Sequence, residues 1–350
     1  MADKEKEKGP SADAGTTVLR EVALNEAIGL RLGHDLTQII PGVFKGRLFK
    51  RGHLITEEDV PALLNIGKEH IYVMELGSGE LHEDDAAIEM AKALANDSLI
   101  LSEPHEGKVS LKAAFKGMAV IDRKMVDAVN SLGEIALATV LDNKPVEAGG
   151  AVAATRAIPL VVSKEKVEEV KRLADEYRKT SGGASPLRVV PFRKLQVGLL
   201  TTGSEVYHGR IQDKFGPAVV EKLSFFGCEV AEQRFAPDKQ DIIINEIRSL
   251  LEQDYDMILV TGGMSVDPDD RTPGAIKALG AEIVSYGTPM LPGSMLLMGY
   301  IGEVPIMGLP GCVMHDPYTS FDALLPRILA GQKIRREDII ALGYGGLLGC

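Results

Sequence analysis

The C-terminal half of this chain predicts an α/β fold on a mainly parallel sheet, with smaller α+β regions before it. Three observations carry that reading. After Pro186, apolar strand-like runs alternate with amphipathic helical runs, and such alternation requires parallel strands joined by right-handed crossovers. "VGLL" and "MILV" are apolar runs, as in strands covered on both faces. Glycine and polar residues follow the strand ends at once, in "TTGSEV", "TGGMSVDPDD" and "LPGCVMHD". Ligands of such sheets bind beyond the carboxyl ends of the strands.

Taken in order, residues 1–17 are charged and rich in small residues, the composition of a disordered tail. Residues 18–76 read as a small α+β unit. "LNEAIGLRLGHDLT" has helical apolar spacing, "GRLFKRGHLI" alternates like a strand, and "KEHIYVMEL" is a strand. In "TEEDVPALLNIG" Thr56 is the N-cap, Asp59 lies in the first turn and Gly67 is C′. Residues 77–185 form a middle α+β region, with helices over "HEDDAAIEMAKALA", "DRKMVDAVNSL" and "SKEKVEEVKRLADEYRKT" and a linker at Ser181–Pro186. Residues 186–335 hold the parallel-sheet domain, and 336–350 a C-terminal tail. Within that domain Asp238 is read as a cap of "DKQDIIINEIRSLLE", Thr272 and Pro273 as cap and first residue of "TPGAIKALG", and Asp316 and Pro317 as cap and N1 of the last long helix. "MLLMGY" and "VPIMGLPG" form a hairpin around Gly302-Glu303.

Composition narrows the function. The length of 350 residues fits two or three domains, and a hydrophobic fraction of 45% allows real cores. A net charge of −11 argues against nonspecific nucleic-acid binding. Cys228, Cys312 and Cys350 are widely spaced, without a CxxC pair, which suits a reducing cytoplasm and not a zinc site. No apolar run reaches the ~18 residues of a membrane span, and the N-terminus lacks the apolar stretch of a signal peptide.

The loop "VTGGMSVDPDDRTPGAI" poses the chemical question. Gly262, Gly263 and a following helix start favour an anion, yet Asp267, Asp269 and Asp270 repel one. A helix N-terminus is worth roughly 0.3–1 kcal/mol to an anion. Two unit charges ~4 Å apart repel by about 4 kcal/mol at an effective dielectric of ~20. Either the aspartates face water, or a divalent cation such as Mg²⁺ lies between them and the ligand. Thr202, Gly203, Ser204 and Glu205 make either a plain turn or a phosphate or pterin contact. Asp213 is either a helix cap or a ligand contact. Pro310 and Gly311 allow close backbone approach. For the Cys312-x-x-His315 pair, a core thiol and a cap imidazole explain the residues better than a metal. Met290, Met295, Met298, Met307 and Met314 read as strand core.

In order, "TTGSEV…GRIQDKFGP", "PDKQDIIINEI", "YDMILVTGGMSVDPDDRTP" and "LPGCVMHDPYTSF" resemble the molybdopterin-binding domain of molybdopterin adenylyltransferases and molybdotransferases, over about Leu195 to Leu329. "LNEAIGLRLGHDLT" and "GRLFKRGHLITEEDVPALLNIGKEHIYV" resemble the molybdotransferase N-terminus. The resemblance implies a three-layer α/β domain binding molybdopterin, its adenylylated form or molybdenum cofactor. It implies ligand contacts at Thr202, Gly203, Ser204, Glu205, Asp213, Gly262, Gly263, Ser265, Thr272, Pro310, Gly311 and Cys312, and Mg²⁺ at Asp270 and Asp267. It further implies a cytoplasmic homo-oligomer with a biosynthetic enzyme or molybdoenzyme as partner. Ser204 stands where the family has an acid, Cys312-Val313 where it has Asn-Pro or Ser-Pro, and the N-terminal Asp-Gly-Tyr-Ala stretch has no counterpart. Three functions follow: a molybdotransferase-like enzyme, a noncatalytic molybdopterin carrier or sensor, and a nucleotide pyrophosphatase-related protein.

Overall fold

A computed structural model describes residues 17–40, 44–265 and 271–349. The chain divides into two compact units. The first comprises residues up to Phe115, Ala119–Asp142 and Val146–Val189; the second Lys116–Met118, Asn143–Pro145 and the chain from Val190.

In the first unit, strands Val18–Ala23, His70–Glu75 and Arg31–Leu32 form one antiparallel sheet. The segment expected to be helical from Leu24 to Thr37 is instead a short turn, Leu24–Glu26, followed by the strands Arg31–Leu32 and Leu36–Ile40. Gly29 (φ 83°) and Gly33 break the helix, and a Cβ on Gly33 would lie 2.7 Å from Leu19. Leu24, Ala27, Leu32 and Leu36 are buried nonetheless, so the spacing marked the core and not the helix. Thr56 and Asp59 form the expected cap, with Thr56 N and Oγ1 each 2.9 Å from Asp59 Oδ2. Farther along, a four-stranded antiparallel sheet packs under the helices Glu83–Leu94 and Lys164–Thr180 through Ala87, Met90, Leu94, Val167, Val170 and Ala174. Ser181–Pro186 belongs to this unit and is not a free linker: Ser185 is buried and donates to the Ala95 carbonyl at 3.2 Å.

The second unit contains a six-stranded sheet. Its strands are β1 (Gln196–Thr202), β2 (Glu229–Ala236), β3 (Met257–Thr261), β4 (Glu282–Tyr286), β5 (Leu297–Ile301) and β6 (Val304–Leu309), in the order β2-β1-β3-β6-β5-β4. The β2-β1-β3-β6 part is parallel; β5 and β4 are antiparallel additions. The helices are α1 (Ser204–Tyr207), α2 (Phe215–Ser224), α3 (Gln240–Leu251), α4 (Thr272–Ala278), α5 (Ser320–Leu329) and α6 (Arg336–Ala341).

Alternation along the strands builds the three layers, because successive side chains point to opposite faces. Val197, Leu199, Met257 and Leu259 join Val219 and Leu223 of α2 and Phe321, Leu324, Leu325 and Ile328 of α5 in one core. Leu200, Ile258 and Val260 join Ile243, Ile247 and Leu250 of α3 and Ala275 and Ile276 of α4 in the other.

Two helix starts differ from expectation. Helix α5 begins at Ser320 with Thr319 and Asp322 as its capping box, not at Asp316-Pro317. The cause is Lys222, whose ammonium is held by the carbonyls of Asp316 (3.3 Å) and Pro317 (3.0 Å) and by Asp322 Oδ1 (2.8 Å). Helix α3 begins at Gln240 without a side-chain cap; Asp238 is engaged elsewhere. Thr272 is the first residue of α4, after Arg271.

Candidate functional site

Strands β1, β3 and β6 are neighbours and parallel, so their carboxyl ends meet at one edge of the sheet. There a cavity of about 580 Å³ is lined by Gly262 to Ser265 after β3, by Leu309 to Cys312 after β6, and by Pro292 to Met295 before β5, with Phe215 at its side. Of the predicted contacts, the structure brings together Gly262, Gly263, Ser265, Pro310, Gly311 and Cys312.

Thr202, Gly203, Ser204, Glu205, Asp213 and Thr272 do not line this cavity. Thr202 and Thr272 are buried beside it. Thr272 Oγ1 donates to the Gly262 carbonyl at 2.9 Å and lies 3.3 Å from Thr202 Oγ1. A Cβ on Gly262 would come within 2.2 Å of the Thr202 carbonyl, and one on Gly263 within 2.8 Å of Thr272 Oγ1. Both glycines are therefore demanded by these threonines before any ligand is considered. The Gly203 amide donates to Ala236 O at 3.0 Å, and Ser204 is paired with Asp238. Glu205 is exposed. Asp213 is a helix cap: Oδ1 accepts from the Phe215 amide at 2.8 Å, and Oδ2 from Gln233 Nε2 at 2.7 Å. Asp267, Asp269 and Asp270 lie outside the described residues. Among the described residues, no group of three or more His, Cys, Asp or Glu is arranged to hold a metal.

The cavity is electrostatically unusual. Among the described residues, none that lines it carries a formal charge. The main-chain N–H groups of Gly263, Met264, Ser265, Ser294 and Met295 donate to no other described residue, and the hydroxyl-bearing Ser265 and Ser294 flank them. Clustered amides of this kind form an anion-binding concavity. The Tyr286 hydroxyl reaches the carbonyls of Met264 (3.0 Å) and Ser265 (3.1 Å). On the facing wall a Cβ on Gly311 would meet nothing within 4 Å, so Gly311 borders open space.

Cys312 is partly exposed on the cavity wall and is not the expected core thiol; His315 is exposed at the end of the turn Gly311–Met314. Met298 and Met307 are fully buried strand core, as expected.

Sequence reasoning missed Pro292 to Met295, because it considered only loops leaving parallel strands. Two signals were present. The hairpin makes β5 antiparallel, so the segment entering β5 reaches the same edge as those leaving β6. The tripeptide Leu-Pro-Gly also occurs twice, at Leu291–Gly293 and Leu309–Gly311.

Residues 198–330 match the family described as "Probable molybdopterin binding domain", and residues 21–75 match a domain of unknown function. A molybdopterin molybdenumtransferase of Synechococcus elongatus is 28% identical over 156 residues, 42% of this chain and 39% of that protein. A CinA-like protein of Mycobacterium marinum is 32% identical over 90 residues, 25% of this chain and 21% of that protein. The matched part of this chain thus spans only 39% and 21% of these relatives' lengths. Among solved structures, the molybdopterin biosynthesis enzyme MoaB of Thermus thermophilus is 27% identical, covering 39% of this chain and 98% of that chain with a TM-score of 0.34. The Mog protein of Mycobacterium ulcerans is 21% identical over 38% of this chain and 92% of that chain, with a TM-score of 0.32. Among the described residues no helix is long and apolar enough to cross a membrane. Residues 198–330 of this chain are thus similar to the family described as "Probable molybdopterin binding domain".

Proposed function

We propose that this chain binds molybdopterin in the cavity at the ends of β3 and β6 and handles its adenylylated form as a molybdotransferase-like protein. The observation that carries the reading is that, among the described residues, the wall bears no formal charge and five of its amides donate to no other described residue. Such a wall takes the pterin ring against Met264, Met295 and Leu309 and the phosphate against backbone donors, without the desolvation cost of a buried counter-charge.

Catalysis is assigned to Asp270, with Asp267, as carboxylates holding Mg²⁺. The metal would supply charge stabilisation at the phosphoanhydride. A homo-oligomer in the cytoplasm, serving a biosynthetic or molybdoenzyme partner, belongs to the same proposal. The second reading, a noncatalytic carrier or sensor, draws on Ser204: where the family has an acid, this chain has a hydroxyl residue already engaged with Asp238.

AMP release from adenylylated molybdopterin, with molybdate and a range of Mg²⁺ concentrations, separates the two. An enzyme releases AMP, and Asp270→Asn slows release by roughly 100-fold or more. Absence of release from the unmodified chain leaves the carrier. Equal, Mg²⁺-dependent release from both proteins removes Asp270 from the chemistry.

A further inference from the structure

Two hydroxyls hold the turn that forms one wall of the cavity at the ends of β3 and β6. Thr272 Oγ1, on α4, donates to the Gly262 carbonyl at 2.9 Å. The Tyr286 hydroxyl, at the end of β4, lies 3.0 Å from the Met264 carbonyl and 3.1 Å from the Ser265 carbonyl, and its one hydrogen is shared between them. Strands β6 and β5 stand between β3 and β4 in the sheet, so the turn and the tyrosine together span the ends of both. The Met264 side chain rests on β6 on the way: a Cβ on Gly308 would overlap its sulfur.

A peptide unit is planar and trans, so the N–H of one residue points opposite to the C=O of the residue before it. Thr272, by holding the Gly262 carbonyl, fixes the Gly263 N–H. Tyr286, by holding the Met264 carbonyl, fixes the Ser265 N–H. Gly263 and Ser265 both line the cavity, and neither amide donates to another described residue. Tyr286 is not among the lining residues, and the Ser265 N–H is turned away from it.

We infer that Tyr286 is a positioning residue for anion binding in this cavity. It does not touch the anion; it holds the Met264–Ser265 peptide so that the Ser265 N–H stays aimed at a phosphate group. The inference rests on the proposed function only for the identity of the phosphate's bearer.

Titration of the intact chain with inorganic phosphate, read by NMR at the Ser265 amide, tests it. In the parent the Ser265 resonance should move saturably. Tyr286→Phe removes one hydroxyl and keeps the ring. In the ligand-free variant the Ser265 resonance should be shifted or broadened, while the Gly263 resonance, held by Thr272, stays in place. Phosphate affinity should fall about threefold to tenfold, the fold-change to which the net worth of one neutral hydrogen bond converts, at an unchanged melting temperature. Tyr255→Phe, which deletes a hydroxyl bonded to Glu232 at 3.1 Å before the other end of β3, should leave that affinity unchanged. No phosphate response at Ser265 in the parent, or parent-like affinity in Tyr286→Phe, overturns the inference. If phosphate binds through the Tyr286-held turn and molybdopterin does not bind, the proposed function alone falls. If molybdopterin binds and Tyr286→Phe takes phosphate as the parent does, this inference alone falls.

Discussion

The amide of Ser204 donates to Asp238 Oδ2 at 2.7 Å, and the amide of Asp238 lies 3.3 Å from Ser204 Oγ. This reciprocal pair ties the turn after β1 to the segment after β2. It is also why Asp238 does not cap α3. A charge-assisted bond to a carboxylate is worth about 1.5–3 kcal/mol and a neutral one about 0.5–1.5 kcal/mol. Asp238→Ala should therefore destabilise the protein by about 2 kcal/mol, and Ser204→Ala by under about 1.5 kcal/mol. Urea unfolding midpoints measure both; equal costs would mean that the carboxylate is not the stronger link.

Lys222 and Asp322 form an ion pair in which each side chain is only 14% exposed. Removing one member of such a pair leaves the other charge buried. Lys222→Met should cost about 3 kcal/mol, partly offset because Asp322 retains the Thr319 amide and hydroxyl. Lys222→Met with Asp322→Asn should cost less than the two single changes summed, as a double-mutant cycle in denaturant would read.

Gly262 has φ 85° and no room for a Cβ beside Thr202. Gly262→Ala should destabilise the fold by about 3 kcal/mol or more through strain and overlap. Loss of binding in that variant is then a folding effect. A melting temperature unchanged from the parent would refute the packing argument.

His82 is 1% exposed, its Nδ1 accepts from the Asp84 amide at 3.2 Å, and its Nε2 has no partner among the described residues. Burial, reinforced by Arg31, holds its pKa below the ordinary 6.5 against the opposing pull of Asp84 and Asp85. In the window between the lowered folded value and 6.5 the unfolded chain binds the extra proton. Stability therefore rises with pH there and falls as pH drops below about 6.5. His82→Gln should flatten that slope in thermal melts across pH 5–7, whereas an unchanged slope would assign it to other groups.

The sheet was legible because its central strands β1 and β3 carry the apolar runs Val197–Leu200 and Met257–Val260, with glycines at their ends. Helix starts were less legible. Asp316-Pro317 and Thr319-x-x-Asp322 are both good N-terminal signals a turn apart, and only the tertiary partner Lys222 decides between them. At the site, Gly262, Gly263, Pro310 and Gly311 were readable as strand-end turns. Thr202, Thr272 and Asp213 lie beside the cavity and not among its lining residues. Thr272 and Asp213 satisfy backbone groups there and Thr202 pairs with Thr272, and sequence does not distinguish that duty from ligand contact. The Pro292–Met295 wall escaped because its placement depends on the antiparallel direction of β5.

The central claim is that molybdopterin occupies the cavity between the Gly262–Ser265 and Leu309–Cys312 turns. An anaerobic molybdopterin titration of the parent chain and of Gly311→Val tests it most directly, since a Cβ at Gly311 meets no protein atom within 4 Å. The account predicts saturable binding by the parent and at least a tenfold loss in Gly311→Val, with an unchanged melting temperature. Equal affinity in the two proteins would contradict it.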